Sequence, residues 1–489
     1  MHLEIPKEVK FVLDGLKNKG FQAYAVGGCV RDILRGKKPS DWDVTTNANP
    51  EQIGTVFLES FSNNKFGTVT VVVESEDPSL REIEITPFRT EQKYSDKRHP
   101  DEVKWAKTIE EDLSRRDFTI NALALDETAG EASIIDLFNG QKDLRDQIIR
   151  TVGSAEERFG EDALRMLRAV RFSAALGEDW KIEPQTQKAI ESSAHWLKAI
   201  SQERIKDELC KIISSGQAAR GIETLRKTGL LQYILPELME GYKVGQNKHH
   251  VYDVYEHCVR CLDFTAKKNF NCHVRMAALL HDIGKPRSKR GEGLNSTFYG
   301  HDIIGAKMCG QALQRLKFPK KDNDKVTLLV RYHLFYYNVD EVGESSIRRL
   351  VRNVGTKNME ELLQVRMADR IGSGCPKAEP YKLRHLKYIV DKVAQDPISA
   401  KMLKANGQDV MKMLEIKPGP KIGDILDILL GIVLLDPKKN TKKFLEGEIK
   451  KLGKMSEEEL SSLSQKAKQE RDKTEVKRDE MTKKKYWVT

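Results

Sequence analysis

Short apolar runs of strand length punctuate the first 145 residues. They predict strands over 21–26, 42–46, 68–74, 81–86 and 132–136, with helical segments between them. After about residue 150 the apolar positions recur at the three-and-four spacing of helices, most clearly over 161–176 and 184–199. A helical stretch rich in His and Asp follows over roughly 245–375. From about 440 the chain is rich in Lys and Glu, which predicts a solvated helix fraying into a basic tail that closes Lys483-Lys-Lys-Tyr-Trp-Val-Thr. The longest apolar stretch, 422–435, carries Asp424 and Asp427 and is too short to span a bilayer, so it predicts a buried helix. The pattern as a whole is α+β: a small sheet domain, then a long all-α remainder without internal repeat or low-complexity linker.

Composition adds three constraints. At 489 residues the chain has room for several domains, and its net charge of +10 fits a polyanionic partner such as nucleic acid. The seven cysteines are scattered; Cys258 and Cys261 form a CxxC without a second pair, so a zinc ribbon is not indicated. Reduced thiols and the lack of a signal-like apolar core in Met1-His-Leu-Glu-Ile-Pro-Lys-Glu predict a cytoplasmic protein with no membrane partner. No pattern speaks to oligomeric state.

The chemistry starts in Tyr24-Ala-Val-Gly-Gly-Cys-Val-Arg-Asp and Ser40-Asp-Trp-Asp-Val-Thr-Thr. Strand alternation puts Asp41 and Asp43 on one face. Two hard oxygen ligands suit magnesium, which keeps open positions for substrate phosphates. Gly27 and Gly28 let backbone N–H groups approach a phosphate ahead of a helix start, and Arg31 adds a fixed cation. Together these parts describe a metal-dependent nucleotidyl-transfer site. In Arg115-Arg-Asp-Phe-Thr-Ile-Asn, Arg116 suits phosphate, and Asp117 and Asn121 suit sugar hydroxyls. The plainer reading of that segment is a capped surface helix with solvated charges. In Glu161-Asp-Ala-Leu-Arg-Met-Leu-Arg-Ala-Val-Arg-Phe, Asp162, Arg165 and Arg168 recur at i,i+3, and Arg171 extends the nucleotide-binding set. A carboxylate beside a guanidinium imitates a base-pairing edge. The plainer reading is an ordinary helix ion pair worth about a few tenths of a kcal/mol. A third constellation joins His257, His281, Asp282, His301, His333 and Asp369, with Lys285 as a cation for bound phosphate. Imidazoles with carboxylates suit manganese, iron, nickel or zinc better than magnesium.

In combination and order these motifs resemble a class II tRNA nucleotidyltransferase, the group of CCA-adding enzymes and bacterial poly(A) polymerases. Five matches carry the resemblance: Gly27-Gly-Cys-Val-Arg-Asp with Asp41-Trp-Asp; Phe66-Gly-Thr-Val; Arg89-Thr-Glu through Tyr94-Ser-Asp-Lys-Arg-His-Pro; Arg115-Arg-Asp-Phe-Thr-Ile-Asn; and Glu161-Asp-Ala-Leu-Arg. It covers about 20–180 and continues through an HD-type domain to about 375. The resemblance implies a catalytic head over 1–145, an α-helical neck and RNA-binding region over 146–244, an HD-type metal domain over 245–375 and an α-helical body and tail over 376–489. It implies that Asp41 and Asp43 are catalytic and hold two magnesium ions, with Glu84 as a third acid. It further implies that Asp162 and Arg165 select CTP and then ATP without a template, and that tRNA is the acceptor.

The product is predicted from two segments. Residues 88–101 resemble a full-length flexible loop needed to add the terminal A, which argues against CC-only addition. Ser62-Asn-Asn-Lys-Phe-Gly stands where poly(A) polymerases usually carry Gly-Arg-Arg-Phe. Full CCA addition is therefore predicted, with A-only addition and poly(A) synthesis as alternatives. His257, His281, Asp282 and Asp369 fill the family's H…HD…D positions, and His301 and His333 fall where some members hold a second metal. That completeness implies an added phosphohydrolase activity, although many relatives keep this scaffold without ligands. A lone HD phosphohydrolase and a non-catalytic RNA-binding protein are the readings from other classes. Candidate phosphate contacts are 315–321 with Lys325, 438–443 and the Lys-rich end, the plainer reading being a solvated helix face, which is the favoured one for the end; the RNA is expected to be recognised by shape.

Overall fold

A computed structural model describes residues 4–62, 67–92, 102–128, 131–247, 251–339, 341–394, 400 and 403–488. The predicted loop over 88–101 therefore lies mostly outside the described residues, as do 63–66 of the segment that bears on poly(A) synthesis. The chain forms two compact units. The first comprises Met1–Leu334 and Gln364–Pro376; the second comprises Phe335–Leu363 and Lys377–Thr489.

The first unit opens with nine strands: β1 (Ala23–Val26), β2 (Asp43–Thr46), β3 (Ser60–Ser62), β4 (Val69–Val72), β5 (Glu82–Pro87), β6 (Arg89–Gln92), β7 (Glu102–Trp105), β8 (Leu123–Thr128) and β9 (Glu131–Asp136). Seven of them make one sheet in the order β3-β4-β5-β2-β1-β8-β9, while β6 and β7 pair as a separate hairpin. All five expected strands are present with shifted ends. The strands β3, β6, β7 and β8 were not foreseen; in β8 Leu123, Ala124 and Leu125 are all buried, so no alternation marks them. One face of the sheet packs Val44, Ile83, Ile85 and Leu125 against Val9, Val12 and Leu16 of the helix Lys7–Lys17. Val26, Phe88, Leu113 and Ala124 form a second, smaller core.

Helices take over after residue 150, as expected, with one correction. The helix expected over 161–176 is two helices, Ala155–Glu161 and Leu164–Ala175, separated at Asp162, whose backbone is extended (φ −138°, ψ 104°). Asp162 Oδ1 accepts the Leu164 N–H at 3.0 Å, so the side chain starts the second helix locally. The segment 184–199 is the helix Pro184–Ser193 followed by the tighter turn Ala194–Ala199. The helices Val254–Lys267, Cys272–Leu280, His301–Arg315 and Lys320–Tyr332, with the C-terminal part of Thr356–Gly372, carry the His/Asp constellation.

In the second unit the apolar stretch forms the helix Pro420–Leu435, with Ile425 and Leu429 fully buried. The expected fraying tail is instead one helix, Glu457–Tyr486, begun by a Ser456 capping box. It is held by burial of Leu460, by a Tyr388 hydroxyl donating to Asp479, and by the Lys485–Asp391 pair at 2.7 Å. Among the described residues no helix is long and apolar enough to cross a membrane.

Candidate active site

The turn from β1 into the short helix Gly28–Leu34 places backbone against the head's charged groups. Gly27 has φ 85°, and a Cβ there would lie 3.0 Å from Arg116 Nη1 and 3.8 Å from Asp43 Oδ2. Glycine is required both by conformation and by this approach. Trp42 and Val44 bury beneath the sheet, which turns Asp43 to the opposite side. Asp41 precedes the strand rather than lying within it; it is exposed and accepts a hydrogen bond from the Ser40 hydroxyl at 2.9 Å. The parallel register pairs Asp43 with exposed Glu84 on β5. Burial pushes the Asp43 carboxyl up to about 6; Arg116 opposes the rise, and Asp41 and Glu84 add to it. Three carboxylates thus concentrate negative charge at an accessible edge, a hard-oxygen donor set that fits divalent magnesium.

Behind them lies a network of fixed cations. Fully buried Asp112 accepts from Arg115 at 2.6 Å and from Arg116 at 3.1 Å. Burial raises its carboxyl, but Arg116 and Arg115 outweigh that and leave it below the usual range. Asp112 was not singled out in the sequence, although its i,i+3 and i,i+4 spacing to the arginine pair was there to read. Arg31 Nη1 donates to Asn121 Oδ1 at 2.8 Å, Asn121 Nδ2 to Asp117 Oδ1 at 3.1 Å, and Arg168 Nε to Asp117 Oδ2 at 2.6 Å. Asp117 and Asn121 therefore meet as expected, though across the tight turn Thr119–Asn121 rather than on an α-helix. Burial raises the Asp117 carboxyl, but Arg168, Asn121 and Arg165 bring it down to about 2. The guanidinium carbons of Arg31, Arg168 and Arg171 sit 5.4, 5.5 and 4.3 Å from the Phe172 ring centre, which gathers three cations around one aromatic.

Asp162 and Arg165 are close in the chain but each is held by another partner. Arg204 grips both Asp162 oxygens, at 3.2 and 2.7 Å. Arg165 donates to Glu161, to the Arg158 carbonyl at 3.2 Å and to the Arg115 carbonyl at 3.1 Å. Arg204 lies 42 positions from its partner, so no local pattern could have revealed it.

The six predicted His/Asp residues converge. His257 Nε2 and His281 Nε2 are 3.0 Å apart, and each is 3.2 Å from Asp282 Oδ2. Asp369 Oδ1 faces them at 3.4 and 3.9 Å. The other oxygen of Asp282 faces His301 at 3.4 Å and His333 at 3.6 Å. One carboxylate therefore spans two histidine pairs. The Nδ1 atoms of His281, His301 and His333 lie 2.8, 2.7 and 2.6 Å from the carbonyls of Ala278, Phe298 and Val330. Those carbonyls favour the Nδ1–H tautomer and leave the Nε2 lone pairs pointing inward, as metal ligation requires. Burial holds His281 and His301 down, towards the neutral ligating form. Burial would raise Asp282 and Asp369, but surrounding imidazoles with Lys285 and Arg366 hold both well below the usual carboxylate range. Lys285 Nζ stands 2.6 Å from Asp282 Oδ2. The cluster opens into a cavity of about 650 Å³ that also meets Tyr299, Arg366 and Arg370. The donor set fits a borderline transition metal.

One expected phosphate-contact region is corrected in part. Arg315 is committed to Glu237 at 2.8 Å and to the Ile234 carbonyl at 3.0 Å, whereas Lys317, Lys320 and Lys321 are exposed.

Comparison with known proteins covers most of the chain. Family models match over 23–150 (Poly A polymerase head domain), 179–241 (probable RNA and SrmB-binding site of polymerase A) and 254–372 (HD domain). The chain is 34% identical to a CCA-adding enzyme of Ligilactobacillus salivarius, over 91% of this chain and 99% of that one. It is 33% identical to an A-adding tRNA nucleotidyltransferase of Deinococcus radiodurans, over 83% of this chain and 90% of that one. The crystal structure of a Bacillus stearothermophilus CCA-adding enzyme in complex with CTP aligns with a TM-score of 0.57 and 27% identity, covering 91% and 98% of the two chains.

Proposed function

The chain belongs to the tRNA nucleotidyltransferases, the family of the CCA-adding enzymes, and from that premise we propose that it adds C, C and A to tRNA 3′ ends from CTP and ATP. The observation that carries the reading is the approach of Gly27 to Asp43 and Arg116, with Asp41 and Glu84 beside them. Asp41 and Asp43 hold magnesium; Glu84 is a supporting acid. Magnesium bound there supplies charge neutralisation at the triphosphate and a more acidic primer hydroxyl. Arg116, anchored by Asp112, offers a fixed guanidinium to phosphate. Gly27 and Gly28 let the chain come close. Arg31, Asp117, Asn121, Arg168 and Arg171 form the walls that receive sugar and base.

Asp162 and Arg165 read the base edge by exchanging their contacts with Arg204 and Glu161 for the nucleotide: the carboxylate accepts from the exocyclic amine shared by cytosine and adenine, and the guanidinium donates to ring acceptors. Asp162→Ala is expected to lose CTP and ATP preference while magnesium binding persists; retained selectivity in that variant sinks the assignment. The product is tested by primer extension on tRNA ending before CCA, after one C and after CC, resolved at single nucleotides. Stepwise C, C, A and a stop is the expected outcome. Extension only of the CC end, with ATP, makes this an A-adding enzyme like the Deinococcus relative. Unbounded A addition makes it a poly(A) polymerase.

The convergence of the six His/Asp residues favours a second activity, hydrolysis of a phosphate ester or 2′,3′-cyclic phosphate with manganese, nickel, iron or zinc. His281→Ala is expected to abolish hydrolysis and leave nucleotide addition intact. Metal-free purified protein with no hydrolysis in manganese or nickel rejects this reading.

A further inference from the structure

We propose that Cys261 is a ligand in the His/Asp cluster, and that its sulfur selects a thiol-accepting divalent ion of the zinc and cobalt class over magnesium. The inference rests on the reading of that cluster as a metal site. Cys261 follows His257 by one turn of the helix Val254–Lys267, which puts both side chains on one face. It is fully buried, with Sγ 3.7 Å from His257 Nε2. That same ring nitrogen faces His281 Nε2, Asp282 Oδ2 and Asp369 Oδ1 at 3.0, 3.2 and 3.4 Å. Ligand atoms of His257, Cys261 and His281 all lie within 4.8 Å of one another. Two imidazole nitrogens and a sulfur, backed by carboxylates, are the donor types that zinc takes.

The neighbouring helix makes room for the sulfur. A Cβ on Gly372 would fall 2.3 Å from Cys261 Sγ and 3.2 Å from His257 Nδ1. Gly372 lies three residues after Asp369, so the helix that presents the carboxylate is bare where the thiol comes in. The plain alternative is a small apolar filler, since Cys261 also packs against Ala278 and Ala368. Cys258 supplies the internal comparison. It is equally buried on the same helix, yet belongs to none of the three-donor groups among the described residues. On binding, the S–H bond gives way to a sulfur–metal bond and the proton leaves to water, with no change in oxidation state.

The test uses the full-length protein, stripped of metal and titrated with cobalt(II) while absorption is recorded. The expected spectrum has visible ligand-field bands and a near-ultraviolet thiolate-to-cobalt charge-transfer band. Cys261→Ser is expected to lose the near-ultraviolet band, keep the visible bands and bind zinc at least about tenfold more weakly. Cys258→Ser is expected to keep both. Cobalt bound by the unaltered protein without the charge-transfer band overturns the role of Cys261 and leaves the His/Asp metal site standing, and that result does not depend on any variant folding. A band that survives Cys261→Ser also overturns it. Failure of equilibrium dialysis to find cobalt or zinc lost on His281→Ala overturns the metal site itself and the inference with it.

Discussion

Asp43 combines two demands that oppose each other. Its carboxylate must be ionised to hold magnesium, yet burial favours its proton and lifts its pKa to about 6, with Asp41 and Glu84 adding to the rise and Arg116 opposing it. Below pH 6 a proton occupies the group, and the metal must displace it. At pH 5 only about a tenth of the sites are ionised, so magnesium is expected to bind about tenfold more weakly at pH 5 than at pH 8. Calorimetric titration across that range checks this; a pH-independent affinity rejects it. The same shift makes the ionised form a burden on the folded, metal-free protein above pH 6, and that burden lifts as pH falls through 6. Asp43→Asn is therefore expected to abolish nucleotide addition yet leave the melting temperature of the metal-free protein at pH 8 unchanged or raised. The sequence was readable where side chains meet through local spacing. Asp43 follows from strand alternation, Asp41 only as its near neighbour, since it stands ahead of the strand, and Asp117 with Asn121 from proximity. Arg204 was not readable, because its ion pair with Asp162 is made by folding across 42 positions.

Among the elements, β5 was legible by alternation and β1, β2 and β4 as short β-prone runs, whereas β8, whose Leu-Ala-Leu run has no β-branched residue, was not. The strand β5 alternates exposed and buried positions, whereas β8 buries Leu123, Ala124 and Leu125 in succession. The break at Asp162 escaped because Phe159, Ala163, Met166 and Val170 keep a helical apolar register straight through it. Only the acceptor chemistry of Asp marks the interruption. Gly67 is where an element's packing depends on a missing side chain. It has φ 77°, and a Cβ would lie 2.5 Å from the Trp105 ring and 3.1 Å from Pro50. The glycine lets β7 close over the chain just before β4. Gly67→Ala is expected to destabilise the protein by about 1–3 kcal/mol, from overpacking and left-handed strain together. Gly54→Ala, in an exposed helix position with open space around it, is expected to be neutral or stabilising by up to about 1 kcal/mol. Urea unfolding compares the pair. Equal stability of the two variants rejects the packing argument.

For the whole molecule the open matter is which cations grip RNA, and composition misleads here. The C-terminal helix Glu457–Tyr486 looks basic because it ends in three lysines, yet it holds nine Lys and Arg against eight Asp and Glu. Lys483 pairs with Asp479 at 3.1 Å and Lys485 with Asp391 at 2.7 Å, so two of the three terminal lysines already have anionic partners. Deleting the helix is a poor test, because it would strip cover from the core that buries Leu429 and Leu460 and confound RNA binding with unfolding of the second unit. Point substitution separates the effects. Lys483→Ala, Lys484→Ala and Lys485→Ala combined are expected to leave the salt dependence of tRNA binding unchanged. Lys317→Ala, Lys320→Ala and Lys321→Ala combined remove exposed cations from a segment whose one arginine is tied to Glu237. Each phosphate that such a lysine neutralises adds roughly 0.7–0.9 to the slope of log affinity against log salt, so the triple variant is expected to flatten that slope by about 2. Fluorescence anisotropy with labelled tRNA over a salt series reads both slopes. A flattened slope in the terminal variant, with no change in the other, transfers the RNA grip to the tail: ion pairs formed at rest would then be ones that RNA phosphate displaces.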